Sequence, residues 1–499
     1  MNLSIISPEI ALCCGALIIL LLDIFFAKKS SNIFYISHLL SLVTCAVASY
    51  LVITNFHITD FAFNHSFTIS PLLSFFKITI LVLLIFVILL SLDFVVSTKK
   101  ISSEFLSLLL IATAGGMILI SANDFLVFYL GLELQALPLY LLASLNRNSA
   151  KSSEAGMKYF ILGCLASGIL LFGISMIYGF SGTIGFDHLR KMYSFANSAN
   201  EAGFDFVRIP FGVMLGFVMV VCAMFFKISA APFHMWAPDV YEGSVAIVTT
   251  FFATVIKFAA IMALMRLLYV MFLGWPGVEK IFVLVSFLSL AVGSFGAIFQ
   301  KNLKRLLAYS SIGHIGFIIL GMIVFRDDSY IFCILYTIIY AIISIGSFGF
   351  LTLIKSRNSN QMPHEESDQK NEKLFAISSL AGLSKTNPVM AFSLAVLMFS
   401  SAGIPPFAGF FSKFYILAVV LNNGFYIIAI LAVLFSVISA YYYLRVVKVM
   451  YFDKPQEEVM ELGNSFNGKL IIFLSAIFNL LFIIFFDTIL NTIIGFLLA

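Results

Sequence analysis

A chain of 499 residues that is 61% hydrophobic and only 11% charged lies far from the soluble average of about 25% charged, which excludes a soluble enzyme. Its formal charge of +4 comes from 29 Lys and Arg scattered among short connecting segments, so it builds no nucleic-acid surface. The six cysteines (Cys13, Cys14, Cys45, Cys164, Cys222 and Cys333) fall within apolar runs and form no CxxC pair. They read as small buried residues rather than disulfides or metal ligands.

The apolar runs recur at roughly 18–25 residues, each long enough to cross about 30 Å of hydrocarbon, which predicts an all-α polytopic membrane protein. No Lys or Arg precedes the first run, and Lys28–Lys29 follow it. A secretory signal has the opposite arrangement, so residues 1–27 predict a retained helix with its N-terminus outside. In chain order about fourteen spans are expected, near 5–27, 33–54, 72–96, 105–122, 125–145, 156–180, 210–231, 245–271, 281–300, 304–325, 330–354, 388–421, 425–451 and 469–498. The run 388–421 is interrupted by Pro405–Pro406 and reads as one discontinuous helix. With this threading, eighteen of the 29 basic residues lie in inside loops, five outside and six within spans, as the positive-inside rule requires.

Two connectors exceed what a turn needs. Residues 181–209 lie outside with mixed charge, and 356–387, containing NSNQMPHEESDQKNEK, read as a flexible polar linker inside. Neither is long enough for a soluble catalytic domain. No P-loop, dinucleotide fingerprint or zinc spacing is present.

A helix broken at KISAAPFHMWAPD (Pro232, Pro238) and another broken at SAGIPPFAGFFSKFYIL (Pro405, Pro406) occupy the fourth place in two successive groups of five spans. This organises the chain as a three-helix segment (1–104), two five-helix repeats (105–271 and 278–451) and a last helix (452–499). Five is odd, so the repeats would be inverted relative to each other. Interrupted helices in matching positions of two halves point to an ion or substrate site.

Six basic residues fall within spans: Lys77, Lys158, Lys227, Lys257, Arg266 and Lys413. Glu133 reads as the one carboxylate well inside a span. A charge at the centre of a membrane helix costs about 2.5–3.5 kcal/mol on insertion scales, so such residues face a polar interior. Burial works against the charged form of a lysine, and an approaching carboxylate works the other way. A Glu that moves relative to a Lys is therefore a proton-affinity switch; the competing reading is a static ion pair between helices. Lys227 precedes the break at Pro232, where freed carbonyls and water can hold an ammonium. Lys257 lies mid-span with no Asp or Glu in its helix. Lys413 follows the double proline. His234, in the first break, could pass a proton between Lys227 and Lys257, and His314, beside Tyr309, Ser310 and Ser311, is either a relay or a packing hydrogen bonder. Lys77, Lys158 and Arg266 lie near span ends, where snorkelling competes with a buried role.

The strings LGLELQALPLYLL, FKISAAPFHMWAPDVYEG, QKNLKRLLAYSSIGHIGF and GIPPFAGFFSKFYIL together resemble the antiporter-like membrane subunits of respiratory complex I, the proton-translocating NADH:quinone oxidoreductase. The resemblance spans nearly the whole chain and is strongest from Asn123 to Tyr451. HMWAPDVYEG, with Asp239-Val240-Tyr241, is more similar to the subunit N (subunit 2-like) branch than to the L or M branches. The resemblance implies that Glu133 and Lys227 form the charged pair of a first half-channel, that Lys257 is the central relay and that Lys413 is the exit-side residue. Lys158 and His234 also fall on family-like positions. It further implies M-like and K-like neighbouring subunits in a bacterial inner membrane, or the mitochondrial one if organelle-encoded. No cofactor is implied in this chain, with flavin and iron–sulfur clusters in partner subunits. Ser244 and Val245 depart from the family pattern of a small residue followed by proline. A subunit of a multisubunit cation/proton antiporter and a mainly structural membrane-arm subunit are the alternatives.

Overall fold

The computed structural model describes residues 4–26, 33–98, 104–146, 148–198, 209–271, 277–355, 374–454, 461–463 and 465–498. Most of the expected inside linker (356–373), together with Lys28, Lys29, Lys99, Lys100, Arg147 and Arg208, lies outside the described residues. Among the described residues twelve helices are long and apolar enough to cross a membrane. Three further apolar helices are shorter, Phe211–Lys227, Pro388–Ala402 and Ala408–Asn422. The only strands described are two small antiparallel pairs. The protein is an all-α membrane bundle.

The N-terminal part comprises α1 (Ser7–Phe26), α2 (Ile33–Thr54), a hairpin of β1 (Asp60–Ala62) and β2 (Phe67–Ile69), and α3 (Pro71–Thr98). Then follow α4 (Glu104–Ser121), α5 (Phe125–Ala143), α6 (Ala150–Ser181), α7 (Phe186–Ser198), α8 (Phe211–Lys227) and α9 (Trp236–Gly243). A single continuous rod is formed by α10 (Ala246–Phe251), a π-helical turn (Phe252–Ile256) and α11 (Lys257–Met271). The remaining helices are α12 (Val278–Ile298), α13 (Leu303–Met322), α14 (Asp327–Leu353), α15 (Pro388–Ala402), α16 (Ala408–Asn422), α17 (Tyr426–Phe452) and α18 (Phe466–Leu498).

Helix starts follow local chemistry. Asp124 caps α5 by accepting from the Val127 N–H at 2.6 Å, and Asn302 caps α13 by accepting from the Lys304 N–H at 2.9 Å, each satisfying an orphan donor of the first turn. In a bilayer close backbone approach replaces the hydrophobic drive between helices. A Cβ on Gly173 of α6 would lie 2.6 Å from the Gly216 carbonyl of α8, and one on Gly293 of α12 would lie 2.5 Å from the Gly313 nitrogen of α13. Those contacts seat the broken helix α8 against α6, and α13 against α12. From Ala246 to Met265 every residue of this rod is buried in protein, which makes it the axis of the bundle.

One expectation is corrected and two features are added. The 181–209 connector contains the amphipathic α7, whose Phe186, Leu189 and Tyr193 are buried. The connector after α2 forms the β1–β2 hairpin, with Ala62, Phe67 and Ile69 packed on Ile5. Glu9, in the first turn of α1, is a further carboxylate held in the interior, at 1% exposed.

Candidate functional site

The two proline breaks appear where the sequence places them. After α8 ends at Lys227 the chain runs irregularly through a cis Ala231–Pro232 bond to α9. Ala231 N–H donates to Ser289 Oγ of α12 at 2.9 Å, and Trp236 Nε1–H donates to the Phe226 carbonyl at 2.9 Å. Between α15 and α16 the break carries Gly403 at φ +84° and a cis Pro405–Pro406 bond.

Lys227 is buried, with its ammonium 5.8 Å from the centre of the Tyr140 ring. Glu133, on α5, is half-buried. Its Oε1, Lys227 Nζ and the Tyr140 hydroxyl are all buried without a protein hydrogen-bond partner among the described residues. Nor do Glu133 and Lys227 close into an ion pair. Buried polar groups left unpaired by protein are where ordered water is found, so this corner of the bundle has the chemistry of a hydrated site. Pro138 in α5 adds to it by withholding the donor that the Leu134 carbonyl would otherwise receive. His234 is half-buried in the break.

Lys257 begins α11 directly after the π-helical turn, a helix form that concentrates at functional sites. It is 1% exposed. Its ammonium donates to Ser311 Oγ of α13 at 2.8 Å and stands 5.4 Å from the Tyr241 ring centre. One turn along α13, His314 bonds Tyr336 Oη through Nδ1 at 2.8 Å and Tyr443 Oη through Nε2 at 3.2 Å. Tyr443 also hydrogen-bonds Ser310. A cavity of about 10 Å³, lined by Ser310, His314, Tyr442, Tyr443 and Lys413, is the size that holds one water.

Lys413 reaches back across the second break and donates to the Ser401 and Ala402 carbonyls, both at 2.9 Å. Those carbonyls end α15, where unpaired oxygens and the helix dipole favour a cation. The Phe317 ring lies 5.2 Å from the ammonium. From Lys257 to Lys413 a nearly continuous set of exchangeable groups therefore runs through Ser311, His314, Tyr443 and the small cavity.

Lys158 stands apart. It pairs with Glu154 at 2.7 Å and Asp239 at 2.8 Å, and its side chain is 42% exposed. Lys77 does not snorkel: it is 1% exposed and pairs with Glu9 at 2.6 Å beneath the Phe67 ring. Arg266 turns inward to the Ile120 carbonyl and to Asn123 Oδ1, and Asn123 in turn donates to the hairpin at the His65 carbonyl and to Asp187 of α7. Lys304, placed in a loop by sequence, is buried and donates to the Ser244 carbonyl at 3.0 Å. Val245 takes φ −64°, the value a proline would impose, so losing the family-like proline leaves the start of α10 intact. Tyr336 and Tyr443 carry no signal in the sequence, since a tyrosine inside an apolar run looks like any other packing aromatic. Among the described residues no cluster of three or more His, Cys, Asp or Glu could hold a metal.

Residues 122–439 match the family described as NADH:quinone oxidoreductase/Mrp antiporter, TM. The NADH-quinone oxidoreductase subunit N of Paramagnetospirillum magneticum is 42% identical over 90% of this chain and 88% of its own. Subunit N 1 of Rhizobium meliloti is 38% identical over 96% of this chain and 94% of its own. A chain of respiratory complex I from Thermus thermophilus superposes with a TM-score of 0.78 at 25% identity, covering 97% of this chain and 98% of that one. A chain of the Mrp complex from Dietzia shares the fold at a TM-score of 0.81 and 19% identity, covering 99% of this chain and 96% of that one.

Proposed function

The chain belongs to the NADH:quinone oxidoreductase/Mrp antiporter transmembrane family, and from that membership we propose that its buried lysine axis is the route by which it moves protons. It is a proton-translocating membrane subunit of NADH-quinone oxidoreductase, of the subunit N type, in the bacterial inner membrane. Its partners are other membrane subunits of that complex; on our reading these are M-like and K-like neighbours, and flavin and iron–sulfur chemistry belongs to further subunits. The antiporter-complex alternative rests on likeness of fold at 19% identity, whereas the relatives at 38–42% identity are subunits N.

The observation that carries the route is Lys257, a fully buried ammonium bonded to a neutral hydroxyl, in a bundle that also buries Lys227 and Lys413. On this reading protons enter at Lys227, whose affinity is set by Glu133. They pass by way of His234 to Lys257, then along Ser311, His314 and Tyr443 to Lys413, and leave outside. Lys158 lies at the inner mouth. Moving one charge outward against a membrane potential costs about 2.3 kcal/mol per 100 mV, so the drive comes from the redox subunits through their effect on the Glu133–Lys227 separation. We take each interrupted pair, α8 with α9 and α15 with α16, as one crossing. With the twelve long helices this makes fourteen crossings, arranged as a three-helix segment (1–104), two inverted five-helix repeats (105–271 and 278–451) and a last helix (452–499).

Replacing Lys257 with Met tests the route. NADH-driven proton pumping in membrane vesicles is measured beside the amount of assembled complex on a native gel. The expected outcome is normal assembly with proton flux through this subunit reduced on the order of 10²-fold, as for loss of a positioned proton-transfer group. Normal pumping with normal assembly overturns the route.

A further inference from the structure

The inner end of the bundle holds a set of charges that, apart from Lys158, the proposed route does not use. Arg305 Nη1, in the first turn of α13, lies 2.8 Å from Glu242 Oε2 and 3.1 Å from Asp239 Oδ1. The other oxygen of Asp239 is taken by Lys158 of α6 at 2.8 Å. Lys304 donates to the carbonyl of Ser244, the residue that ends α9, and the Asn302 amide reaches Glu242 at 3.5 Å. The opening turn of α13 thus grips both carboxylates and the terminal carbonyl of an eight-residue helix.

These pairs are partly exposed, with side-chain exposures from 20% to 61%, and exposed ion pairs contribute little to folding. What they fix is position. α9 bears on both lysines of the first half: Trp236 donates to the carbonyl of Phe226, the residue before Lys227, and Tyr241, between the two gripped carboxylates in sequence, faces the Lys257 ammonium with its ring. The same α13 receives Lys257 on Ser311, six residues beyond Arg305. One helix therefore holds α9 at its inner end and Lys257 further along.

We infer that Arg305, assisted by Lys304, is a positioning residue that couples the two halves by setting where α9 stands and so how Lys257 is offered between Tyr241 and Ser311. This deepens the proton-transfer reading and rests on it. Arg305 carries no proton. Lys158 shares Asp239 with it, so the grip on α9 is divided between the two cations.

The test uses the whole complex in membrane vesicles carrying Arg305→Ala, Arg305→Lys or the exchanged pair Glu242→Arg/Arg305→Glu, with Lys257→Met alongside. Protons moved per NADH oxidised are measured together with assembled complex. Misplacing a reacting group by about 1 Å can cost up to about 10²-fold, so Arg305→Ala is expected to assemble, oxidise NADH and lose several-fold in protons per NADH. Arg305→Lys or the exchanged pair recovers most of that loss. An assembled Arg305→Ala complex with an unchanged ratio overturns the inference, as does a deficit that only follows the amount of complex. Should Arg305→Ala fail to assemble, the assembled Lys or exchanged variants decide by the same ratio: near-normal pumping supports the inference, and pumping lost in both overturns it. Lys257→Met separates the two levels. If it also pumps normally, the proton-transfer reading falls; if it alone stops pumping, only the coupling role of Arg305 falls.

Discussion

Two glutamate–lysine couples are built into this bundle, and they are in opposite states. Glu9 and Lys77 are each 1% exposed and close to 2.6 Å, roofed by the Phe67 ring of the hairpin. Glu133 and Lys227 are left open: no ion pair joins them, and the Tyr140 hydroxyl beside Lys227 has no protein hydrogen-bond partner among the described residues. A closed pair has its Coulomb attraction already realised at contact distance. An open pair surrounded by unfilled hydrogen-bonding capacity changes its energy whenever the distance or the hydration changes. Charge inside a membrane helix therefore does not by itself mark a relay; the surroundings of the charge do.

The comparison breaks hardest at the closed pair. Glu9→Gln or Lys77→Met alone strands the other charge in the protein interior, which costs about 3–5 kcal/mol. Each single variant is expected to lower the amount of assembled complex and its thermal midpoint sharply. The double variant Glu9→Gln/Lys77→Met, with no stranded charge, regains most of both, because replacing a whole buried pair by neutral groups is often close to neutral. Single variants as stable as the parent would show that the pair fastens nothing.

Most of the fold was legible because its signals are local. Length and apolarity give the long helices, and proline marks both breaks. The buried lysines Lys227, Lys257 and Lys413 were legible because a charge in an apolar run is costly to insert and so stands out against its neighbours. Contacts made across the fold were not. Glu9 reads as an ordinary first-turn acid until α3 brings Lys77 against it, and Lys304 reads as a loop cation until Ser244 is seen beneath it. Lys158 resembles a relay residue in sequence, yet its partners Glu154 and Asp239 tie it to a partly exposed network. The hairpin and α7 were missed because both are short and polar on one side, and they form by packing on the ends of the bundle.

Lys413 extends the comparison to a lysine held by carbonyls instead of a carboxylate. Gly403 makes that hold possible, since it sits at φ +84° and a Cβ there would lie 2.9 Å from Lys413 Cδ. Gly424 has nearly the same backbone, φ +85°, with nothing within 4 Å. A side chain in the left-handed region costs about 1–2 kcal/mol, so Gly403→Ala and Gly424→Ala should lower the thermal midpoint comparably through strain. Only Gly403→Ala should also reduce proton pumping, by lifting the ammonium from Ser401 and Ala402. Equal pumping in the two variants would mean that the seating of Lys413 does not matter.

The smallest effect on stability, and the sharpest discrimination, belongs to the open couple. Glu133 makes no ion pair, so Glu133→Gln breaks no contact and even removes a charge from a buried setting. Its cost to assembly is expected to stay below about 1 kcal/mol, the range of pairs that contribute little. Proton flux is expected to fall on the order of ten-fold, less than the loss of a proton carrier itself, because Lys227 remains in place but has lost the group that tunes it. Glu133→Asp keeps the charge one methylene further back and should fall between the parent and Gln. The measurement is again protons per NADH against assembled complex. If Glu133→Gln instead collapses assembly as Glu9→Gln does, the two couples are alike: both are static fasteners, and the switch at the entrance of the route has to be sought elsewhere.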